Sequence, residues 1–374
     1  MKQVIQNFRT GVLKVDDVPA PTLRAGGLLV ANRVSLISAG TEKSTVSVAK
    51  KNLVGKAMDR PDQVRKVLDK AKKDGVVDTM KMVFARLDAP AALGYSCAGI
   101  VQEVGRDVSG FEVGDRVACA GQNYASHAEL VYIPKNLCVK IPGDVDFDDA
   151  SYVAMGAIAM QGVRQAETGL GDTVAVIGLG MLGQLTVQML KASGCTVLAS
   201  DVDSSKLTMA AEFGADDCVL PDALVDATAS MTTGKGVDAV IITASTKDDS
   251  PVRVAGEIAR KKGRVVVVGA VGMNIPREQY YLKELELRLS SSYGPGRYDS
   301  SYEEQGNDYP YGYVRWTEGR NMEAFLSLID QGKLDVKSLS THKYEIENAP
   351  DAYKMMMENK EPYTGILLKY SDVA

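Results

Sequence analysis

The stretch that decides the fold reads Thr173-Val-Ala-Val-Ile-Gly178-Leu-Gly180-Met-Leu-Gly183-Gln-Leu-Thr-Val-Gln-Met-Leu-Lys-Ala192. An apolar run of strand length is followed at once by a Gly-x-Gly-x-x-Gly pattern and then by a helix-like segment. In this context the first glycine makes a tight turn, the second lets backbone N–H groups approach a pyrophosphate, and the third lets helix pack on strand. The helix N-terminus then faces the phosphates with unpaired donors. The pattern predicts a dinucleotide site, and the alternative is that the glycines only shape a strand-to-helix turn.

Similar apolar runs recur along this part of the chain. They lie at 174–177, 196–199, 239–242 and 265–268, with segments of helix length between them. Continuous apolar runs are typical of strands buried on both faces. The alternation predicts parallel βαβ units and a doubly wound α/β sheet.

Residues 1–40 and 94–142 follow a different pattern, in which short β-branched runs alternate with Gly and Pro turns. Strands at such close intervals predict a small β-barrel. Between them, residues 43–92 form a predicted helical insertion, because apolar residues recur at i, i+3, i+4 and i+7. Pro61 is placed to open one helix, and Asp74-Gly75 is placed to break between two helices.

Asp201 follows the second strand, eighteen positions after Gly183. An acidic side chain there accepts hydrogen bonds from ribose hydroxyls and repels a 2′-phosphate, which predicts NAD rather than NADP. The full set of predicted cofactor contacts is Gly178, Gly180, Met181, Leu182, Gly183, Asp201, Lys206, Thr243 and Gly269.

Composition excludes several other classes of protein. The 374 residues suggest two domains, and a net charge of −5 disfavours general binding to nucleic acid or anionic membranes. Two histidines and five scattered cysteines argue against a zinc knuckle or a disulfide framework. The first residues do not read as an export signal, and glycines and polar residues interrupt the longest uncharged run, 173–190. We expect a cytoplasmic protein that does not span a membrane.

An aromatic segment spans residues 293–316. It holds six of the sixteen tyrosines and the only tryptophan, among several glycines and prolines. Irregular segments of this length are usually functional or disordered, and so much aromatic surface argues against disorder. Two interpretations stay open: packing between domains or subunits, and contact with a substrate.

Further motifs carry a family resemblance. The run Gly99-Ile-Val-Gln-Glu-Val-Gly105, with Gly114-Asp-Arg-Val117, resembles the barrel domain of medium-chain dehydrogenase/reductases, the alcohol dehydrogenase-like superfamily. The glycine motif and the C-terminal segment also match. The resemblance implies a GroES-like catalytic domain (1–152 and 296–374), a Rossmann NAD-binding domain (153–295), an active site in the cleft between them, and hydride transfer. Within the superfamily, the chain resembles the dehydrogenase half of bacterial bi-domain oxidoreductases.

The sequence departs from zinc-dependent relatives at the ligand positions. Ser38 stands where those relatives have a cysteine, and their Gly-His-Glu reads Gly94-Tyr95-Ser96. No ligand-type residue occurs near Val153, where a third ligand is expected. Because a catalytic zinc needs about three side-chain ligands, we expect a metal-free enzyme. His127 and His342 are predicted to be structural.

Without a metal, side chains must handle the proton and the developing alkoxide. The resemblance puts Thr41 in a proton relay, Glu42 at the family's acid beside the metal ligands, and Tyr95 at the lost histidine position. Tyr95 would serve as general acid/base if a cation such as Lys43 lowered its pKa from about 10. The alternative for each residue is a purely structural role.

Predicted substrate contacts are Ser38, Tyr293, Arg297, Tyr298, Arg315 and Trp316, which suit a hydroxyl-rich sugar. The leading hypothesis is an NAD-dependent oxidoreductase acting on a secondary alcohol of a carbohydrate-like molecule. A zinc-free quinone or enone reductase and a non-catalytic nucleotide-binding protein are the alternatives. A homodimer is expected, with residues 285–292 as a candidate sheet-edge contact.

Overall fold

The structure, a computed structural model, describes residues 1–51 and 61–371. Its strands are β1 (Lys2–Asn7), β2 (Leu13–Asp17), β3 (Gly27–Ile37), β4 (Pro90–Ala92), β5 (Ser96–Val104), β6 (Arg116–Ala120), β7 (Leu130–Pro134), β8 (Cys138–Lys140), β9 (Thr173–Ile177), β10 (Thr196–Ser200), β11 (Asp217–Val219), β12 (Val237–Ile242), β13 (Ala259–Val267), β14 (Glu286–Leu289), β15 (Ser340–Glu345) and β16 (Gly365–Lys369). Its α-helices are α1 (Ala39–Lys50), α2 (Pro61–Asp74), α3 (Val76–Asp88), α4 (Phe147–Ala150), α5 (Val153–Ala166), α6 (Met181–Ala192), α7 (Ser204–Glu212), α8 (Leu224–Met231), α9 (Ser250–Ile258), α10 (Arg277–Leu282), α11 (Ser300–Glu303), α12 (Glu318–Asp330) and α13 (Ala349–Glu358).

The chain divides into two compact units. Unit 1 comprises Met1–Ile133 and Ser340–Ala374, and unit 2 comprises Pro134–Leu339. Unit 2 therefore contains residues 134–152 and 296–339 in addition to the predicted Rossmann domain at 153–295. The domain bounds drawn from the sequence stay a prediction.

Unit 2 is built on a parallel sheet of six strands. Their order is β11-β10-β9-β12-β13-β14, so the chain starts at the centre and winds outward in both directions. The predicted doubly wound sheet is confirmed. Strand β14 lies at one edge and pairs only with β13 among the described residues. The predicted dimer contact at 285–292 includes this strand, and it stays a prediction.

Alternate residues of the central strands pack into two separate hydrophobic cores, one on each face of the sheet. Val174 and Val176 of β9 point to one face, where Leu190 of α6 packs on them. Ala175, between them, faces the other side together with Val252 of α9 and Ile258 at the end of that helix. A sheet covered on both faces requires apolar residues at every strand position, which explains the uninterrupted apolar runs.

Unit 1 is a β structure with helices attached. Within it, strands run in the order β15-β16-β3-β5-β6, with β7 also paired to β3, and a smaller sheet has the order β2-β1-β4. Strands β3 and β5 approach so closely that a Cβ on Gly99 would lie 2.1 Å from the Ala31 carbonyl oxygen. Glycine is therefore required at that position of the family-like motif.

The predicted helical insertion is confirmed where the structure describes it. Helix α2 begins at Pro61, as expected, and Gly75 separates α2 from α3 with a φ of +89°. Helix α1 begins at Ala39, four residues before the predicted start of the insertion. Residues 52–60 of the insertion lie outside the described residues. Within residues 1–51 and 61–371, no helix is both long enough and apolar enough to cross a membrane.

Candidate functional site

The glycine turn joins β9 to α6 in unit 2. Gly178 has a φ of +96°, and a Cβ there would lie 2.5 Å from the backbone nitrogen of Ala244. A Cβ on Gly183 would lie 2.0 Å from the Gly178 carbonyl oxygen, whereas one on Gly180 would have nothing within 4 Å. The outer two glycines are thus required by packing, and the middle one faces open space that suits a ligand. Gly180 is also the N-cap of α6 and gives it no side-chain cap.

Asp201 lies beside this turn. Ser200 pairs with Ile177 in the parallel sheet, so Asp201 and Gly178 leave adjacent strands together. The Asp201 carboxylate accepts hydrogen bonds from the backbone N–H of Leu179, at 2.6 Å, and of Asp203, at 2.9 Å. Each carboxylate oxygen carries more than one acceptor site, so capacity remains for ribose hydroxyls.

The other predicted cofactor residues surround the same turn. Thr243, directly after β12, donates a hydrogen bond from its hydroxyl to the Gly178 carbonyl. A Cβ on Gly269, after β13, would lie 2.0 Å from the Ala244 carbonyl oxygen. Met181 and Leu182 begin α6. The structure therefore brings the predicted residues to the carboxyl ends of neighbouring strands, where open α/β sheets bind ligands.

Lys206 has a partner of its own. Its ammonium lies 4.0 Å from the Asp203 carboxylate within α7 and its N-cap. An exposed pair of this kind is weak, and Lys206 offers at most a secondary contact to a nucleotide.

A polar cluster in unit 1 contains three of the four predicted catalytic residues, Thr41, Glu42 and Tyr95. The Tyr95 hydroxyl donates a hydrogen bond to the Ser38 hydroxyl at 2.7 Å and lies 3.4 Å from the Thr41 hydroxyl. Ser38 precedes α1, and its backbone N–H donates to the Glu42 carboxylate at 2.9 Å. Helix α1 thus brings Ser38, Thr41 and Glu42 to one side of Tyr95, although Tyr95 comes from a different part of the chain.

Glu42 is held by two residues that sequence reasoning did not assign to the site. The His127 ring nitrogen Nε2 lies 3.2 Å from Glu42 Oε2, and the Tyr353 hydroxyl donates to the same oxygen. Glu42 is only 3% exposed and His127 is fully buried. His127 Nδ1 contacts the Ser35 hydroxyl at 2.7 Å. The Glu42 carboxylate is therefore surrounded by donors, as a buried charge must be.

The condition placed on Tyr95, a pKa lowered by a cation such as Lys43, is not met. The Lys43 ammonium binds the Asn359 side chain at 2.6 Å and the Tyr363 hydroxyl at 3.0 Å. Burial, with a smaller contribution from Glu42, raises the pKa of Tyr95 to about 12. Burial disfavours the charged phenolate, and the hydrogen bonds to Ser38 and Thr41 offset only part of this effect. Tyr95 is consequently a protonated phenol at neutral pH.

The residues at the expected metal positions do not fit a zinc ion. Ser38, Tyr95 and Ser96 present neutral hydroxyls, whereas zinc takes thiolate, imidazole and carboxylate ligands. Within the described ranges there is also no group of three or more His, Cys, Asp or Glu arranged to hold a metal.

Arg297, predicted to contact substrate, is held inside unit 2. Its guanidinium pairs with the Glu303 carboxylate at 2.5 Å and stacks over the rings of Tyr293 and Tyr298. Tyr293 is buried, while Tyr298 is 74% exposed. Of these predicted contacts, only Tyr298 presents a large open surface.

Trp316 lies between two arginines. The guanidinium carbon of Arg164 is 3.3 Å from the indole ring centre, and that of Arg315 is 3.6 Å from it. Two guanidinium groups this close to one ring centre must take opposite faces, because on one face they would overlap. Neither face of the indole is then open for stacking on a sugar, which was the predicted use of Trp316.

Two family models match the chain. The model described as "Zinc-binding dehydrogenase" matches residues 182–305, and the model described as "Alcohol dehydrogenase GroES-like domain" matches residues 71–143. Together the two matches cover more than half of the chain. The first lies within unit 2, and most of the second lies within unit 1.

Similar proteins include several named for polyols. An L-arabinitol 4-dehydrogenase from Aureobasidium melanogenum is 26% identical over 306 residues, covering 72% of this chain and 75% of that protein. The sorbitol dehydrogenase of Bacillus subtilis (strain 168) is 24% identical over 308 residues, with coverages of 73% and 79%. The crystal structure of galactitol-1-phosphate dehydrogenase from Escherichia coli superposes with a TM-score of 0.75 at 18% identity, covering 99% of this chain and 100% of that one. This last likeness shows the shared fold.

Proposed function

Because this chain belongs to the medium-chain dehydrogenase/reductase superfamily, in its alcohol dehydrogenase-like group, we propose that it is a zinc-independent, NAD-dependent oxidoreductase. Its substrate in this proposal is a secondary alcohol, or the corresponding ketone, of a carbohydrate-like molecule. The observation that carries the proposal is the placement of Asp201 against an open glycine turn.

The residues of unit 2 fit a dinucleotide. When bound, NAD supplies a nicotinamide ring that accepts or donates hydride. Backbone N–H groups of the turn from Gly178 to Gly183 suit the pyrophosphate, because the N-terminus of α6 adds partial positive charge. Asp201 suits the ribose hydroxyls and opposes a 2′-phosphate by charge repulsion. Lys206 is proposed as a secondary contact to the adenosine, since its pair with Asp203 is long and exposed.

In unit 1, Tyr95 and Thr41 are the proposed proton-handling groups. A protonated Tyr95 can donate to a developing alkoxide, which suits the reduction of a ketone. Thr41 is an exposed residue, and its hydroxyl lies 3.4 Å from the Tyr95 oxygen. Glu42 is better described as a positioning residue than as an acid/base, because the oxygens of its buried carboxylate already accept from Ser38, His127 and Tyr353.

The proposal of a carbohydrate-like substrate is supported by the names of similar proteins and by exposed side chains. The two curated relatives are named for L-arabinitol and sorbitol, both linear polyols. Ser38, Tyr298 and Arg315 remain the best placed of the predicted contacts, because Tyr298 and Arg315 are exposed and Ser38 adjoins Tyr95. The remaining predicted contacts are proposed to position these two exposed side chains. Arg297 lies between the rings of Tyr293 and Tyr298, and Trp316 packs against Arg315.

Metal independence is proposed from the donor set. Hydroxyl groups at Ser38, Tyr95 and Ser96 are poor ligands for zinc, so side chains must take over the stabilisation of the oxyanion. We also propose a cytoplasmic homodimer.

The test is a paired titration and an activity panel. The purified protein is titrated separately with NADH and NADPH, and nicotinamide absorbance is then followed with L-arabinitol, sorbitol, other sugars, a quinone and an enone. Elemental analysis and chelator treatment accompany the assays. We expect NADH to bind at least about tenfold more tightly than NADPH, a difference of about 1.4 kcal/mol, because Asp201 repels the 2′-phosphate. Polyol turnover should survive chelation. Activity with the quinone or enone alone, or stoichiometric zinc whose removal abolishes turnover, would contradict the proposal.

A further inference from the structure

Gln184 is a buried polar residue that faces the glycine turn from the second turn of α6. It is 0% exposed. Its side-chain nitrogen Nε2 donates to the Leu179 carbonyl oxygen at 3.1 Å and to the Lys206 carbonyl oxygen at 2.9 Å. One side chain therefore joins the glycine turn to α7, which follows Asp201 along the chain.

The orientation of this amide is fixed by its neighbours. Both contacts are backbone carbonyls, which accept hydrogen bonds, so a reversed amide would place oxygen against oxygen. The cost of the observed orientation is that Gln184 Oε1 has no hydrogen-bond partner among the described residues. An unpaired buried acceptor is unfavourable, and a leucine of similar size would avoid it. The two donated hydrogen bonds are thus the feature that distinguishes glutamine from an apolar residue here.

Leu179 is the residue on which these contacts converge. Its N–H donates to Asp201 at 2.6 Å, its carbonyl accepts from Gln184, and its side chain is 1% exposed. Leu179 lies between Gly178 and Gly180, which have no side chains to hold them. Gly178 is held as well, because its N–H donates to the Ser200 carbonyl at 2.8 Å and its carbonyl accepts from Thr243. Both polar groups of the Leu179 backbone are bound by side chains, those of Asp201 and Gln184.

We propose that Gln184 is a positioning residue for dinucleotide binding, which holds the phosphate-binding turn and the start of α7 in one arrangement. This role rests on the proposed function. Gln184 does not touch the nucleotide in this proposal; it fixes the N–H groups that do. Backbone donors bind a phosphate well only when their directions are set in advance.

The same helix provides a matched control. Gln188 lies one turn further along α6 and is 5% exposed. Its side chain also makes two hydrogen bonds to backbone, donating to the Asp335 carbonyl at 3.0 Å and accepting from the Asp335 N–H at 2.7 Å. Gln184→Leu and Gln188→Leu thus make the same change, at the same depth, with the same number of bonds lost. Only the first reaches the turn.

The experiment compares both variants with the wild-type chain. NADH affinity is measured by fluorescence titration, stability by urea unfolding, and the KM of the polyol at saturating NAD. We expect Gln184→Leu to weaken NADH binding about tenfold, with the polyol KM unchanged, and Gln188→Leu to stay within about twofold of wild type. Gln184→Met, which keeps the length of the side chain without its donors, should repeat the effect if the leucine variant folds poorly.

If the Gln184 variants bind NADH as tightly as the wild-type chain, the proposed role is wrong. It is also wrong if Gln184→Leu and Gln188→Leu weaken NADH binding equally. Wild-type protein that binds neither NADH nor NADPH would overturn the proposed function itself, together with the role of Gln184.

Discussion

Replacing Glu318 by glutamine should stabilise the protein, and more strongly as the pH rises. Glu318 is the first residue of α12 and is 0% exposed, and neither oxygen of its carboxyl group has a hydrogen-bond partner among the described residues. Burial, with repulsion from Glu303, raises the pKa of Glu318 from 4.5 to about 8, although Arg297 opposes the shift. Arg297 gives little relief because its guanidinium is paired with Glu303.

The size of the effect follows from the two pKa values. Below pH 4.5 the carboxyl group is protonated in both the folded and the unfolded chain and adds no pH-dependent cost. Above that pH the unfolded chain ionises while the folded chain keeps its proton, so stability falls by about 1.4 kcal/mol per pH unit until about pH 8. The cost reaches roughly 3 kcal/mol at pH 7 and at most roughly 5 kcal/mol above pH 8. Glutamine is neutral at every pH and escapes this cost.

Urea unfolding at about pH 5 and about pH 8 measures the effect, and Trp316, the only tryptophan, reports on it from two residues away. We expect Glu318→Gln to exceed the wild type by a few kcal/mol at the higher pH and by less than about 1 kcal/mol at the lower. Glu304→Gln, an exposed change in the same segment, should stay within about 0.5 kcal/mol of wild type at both. A gain for Glu318→Gln that is equal at the two pH values would refute this reasoning.

Three further changes test the site. Asp201→Asn should weaken NADH binding about tenfold and raise the affinity for NADPH relative to NADH, as measured by titration with each nucleotide. The change removes the negative charge and one of the two oxygen acceptors that bind the Leu179 and Asp203 N–H groups. Tyr95→Phe should lower kcat about 100-fold while the Kd of NADH changes less than about twofold, and unchanged turnover would remove Tyr95 from the reaction. Gly94→Ala should cost about 2 kcal/mol or more in urea unfolding, because a Cβ there would lie 2.7 Å from the His127 ring and Gly94 has a φ of +91°.

The central part of the fold could be predicted to the residue. The strand at Thr173–Ile177 and its neighbour at Thr196–Ser200 match the apolar runs in the sequence. Strand β13 begins at Ala259 rather than at 265, because its first half carries Lys261 and Lys262 in exposed positions. A pattern that searches for buried strands cannot detect a strand end that lies in solvent. Helix α6 begins at Met181 rather than at Gln184, because the last three residues of the glycine motif, 181–183, are already helical.

The arrangement of residues around the glycine turn could be predicted because they are close together in the sequence or follow successive strands. The environment of Glu42 could not. His127 is 85 residues away from Glu42 along the chain, and Tyr353 is 311 residues away. No local pattern links such residues, and a single histidine in a strand-rich segment reads as structural. The raised pKa of Tyr95 could not be predicted either, because burial and the position of Lys43 depend on long-range packing.

The buried network around Glu42 changes how the departure from the zinc-dependent pattern is understood. A change at the expected ligand positions alone would leave the buried Glu42 side chain without partners, at a high cost in desolvation. Instead, His127 and Tyr353 bind one oxygen of Glu42, while the other accepts the N–H of Ser38, whose hydroxyl accepts from Tyr95. The hydrogen-bonded link from Glu42 to Tyr95 therefore runs through Ser38, and the charge of Glu42 also raises the pKa of Tyr95. In the proposed reaction, Glu42 orders the start of α1 and the Tyr353 hydroxyl, while proton transfer is assigned to Tyr95 and Thr41.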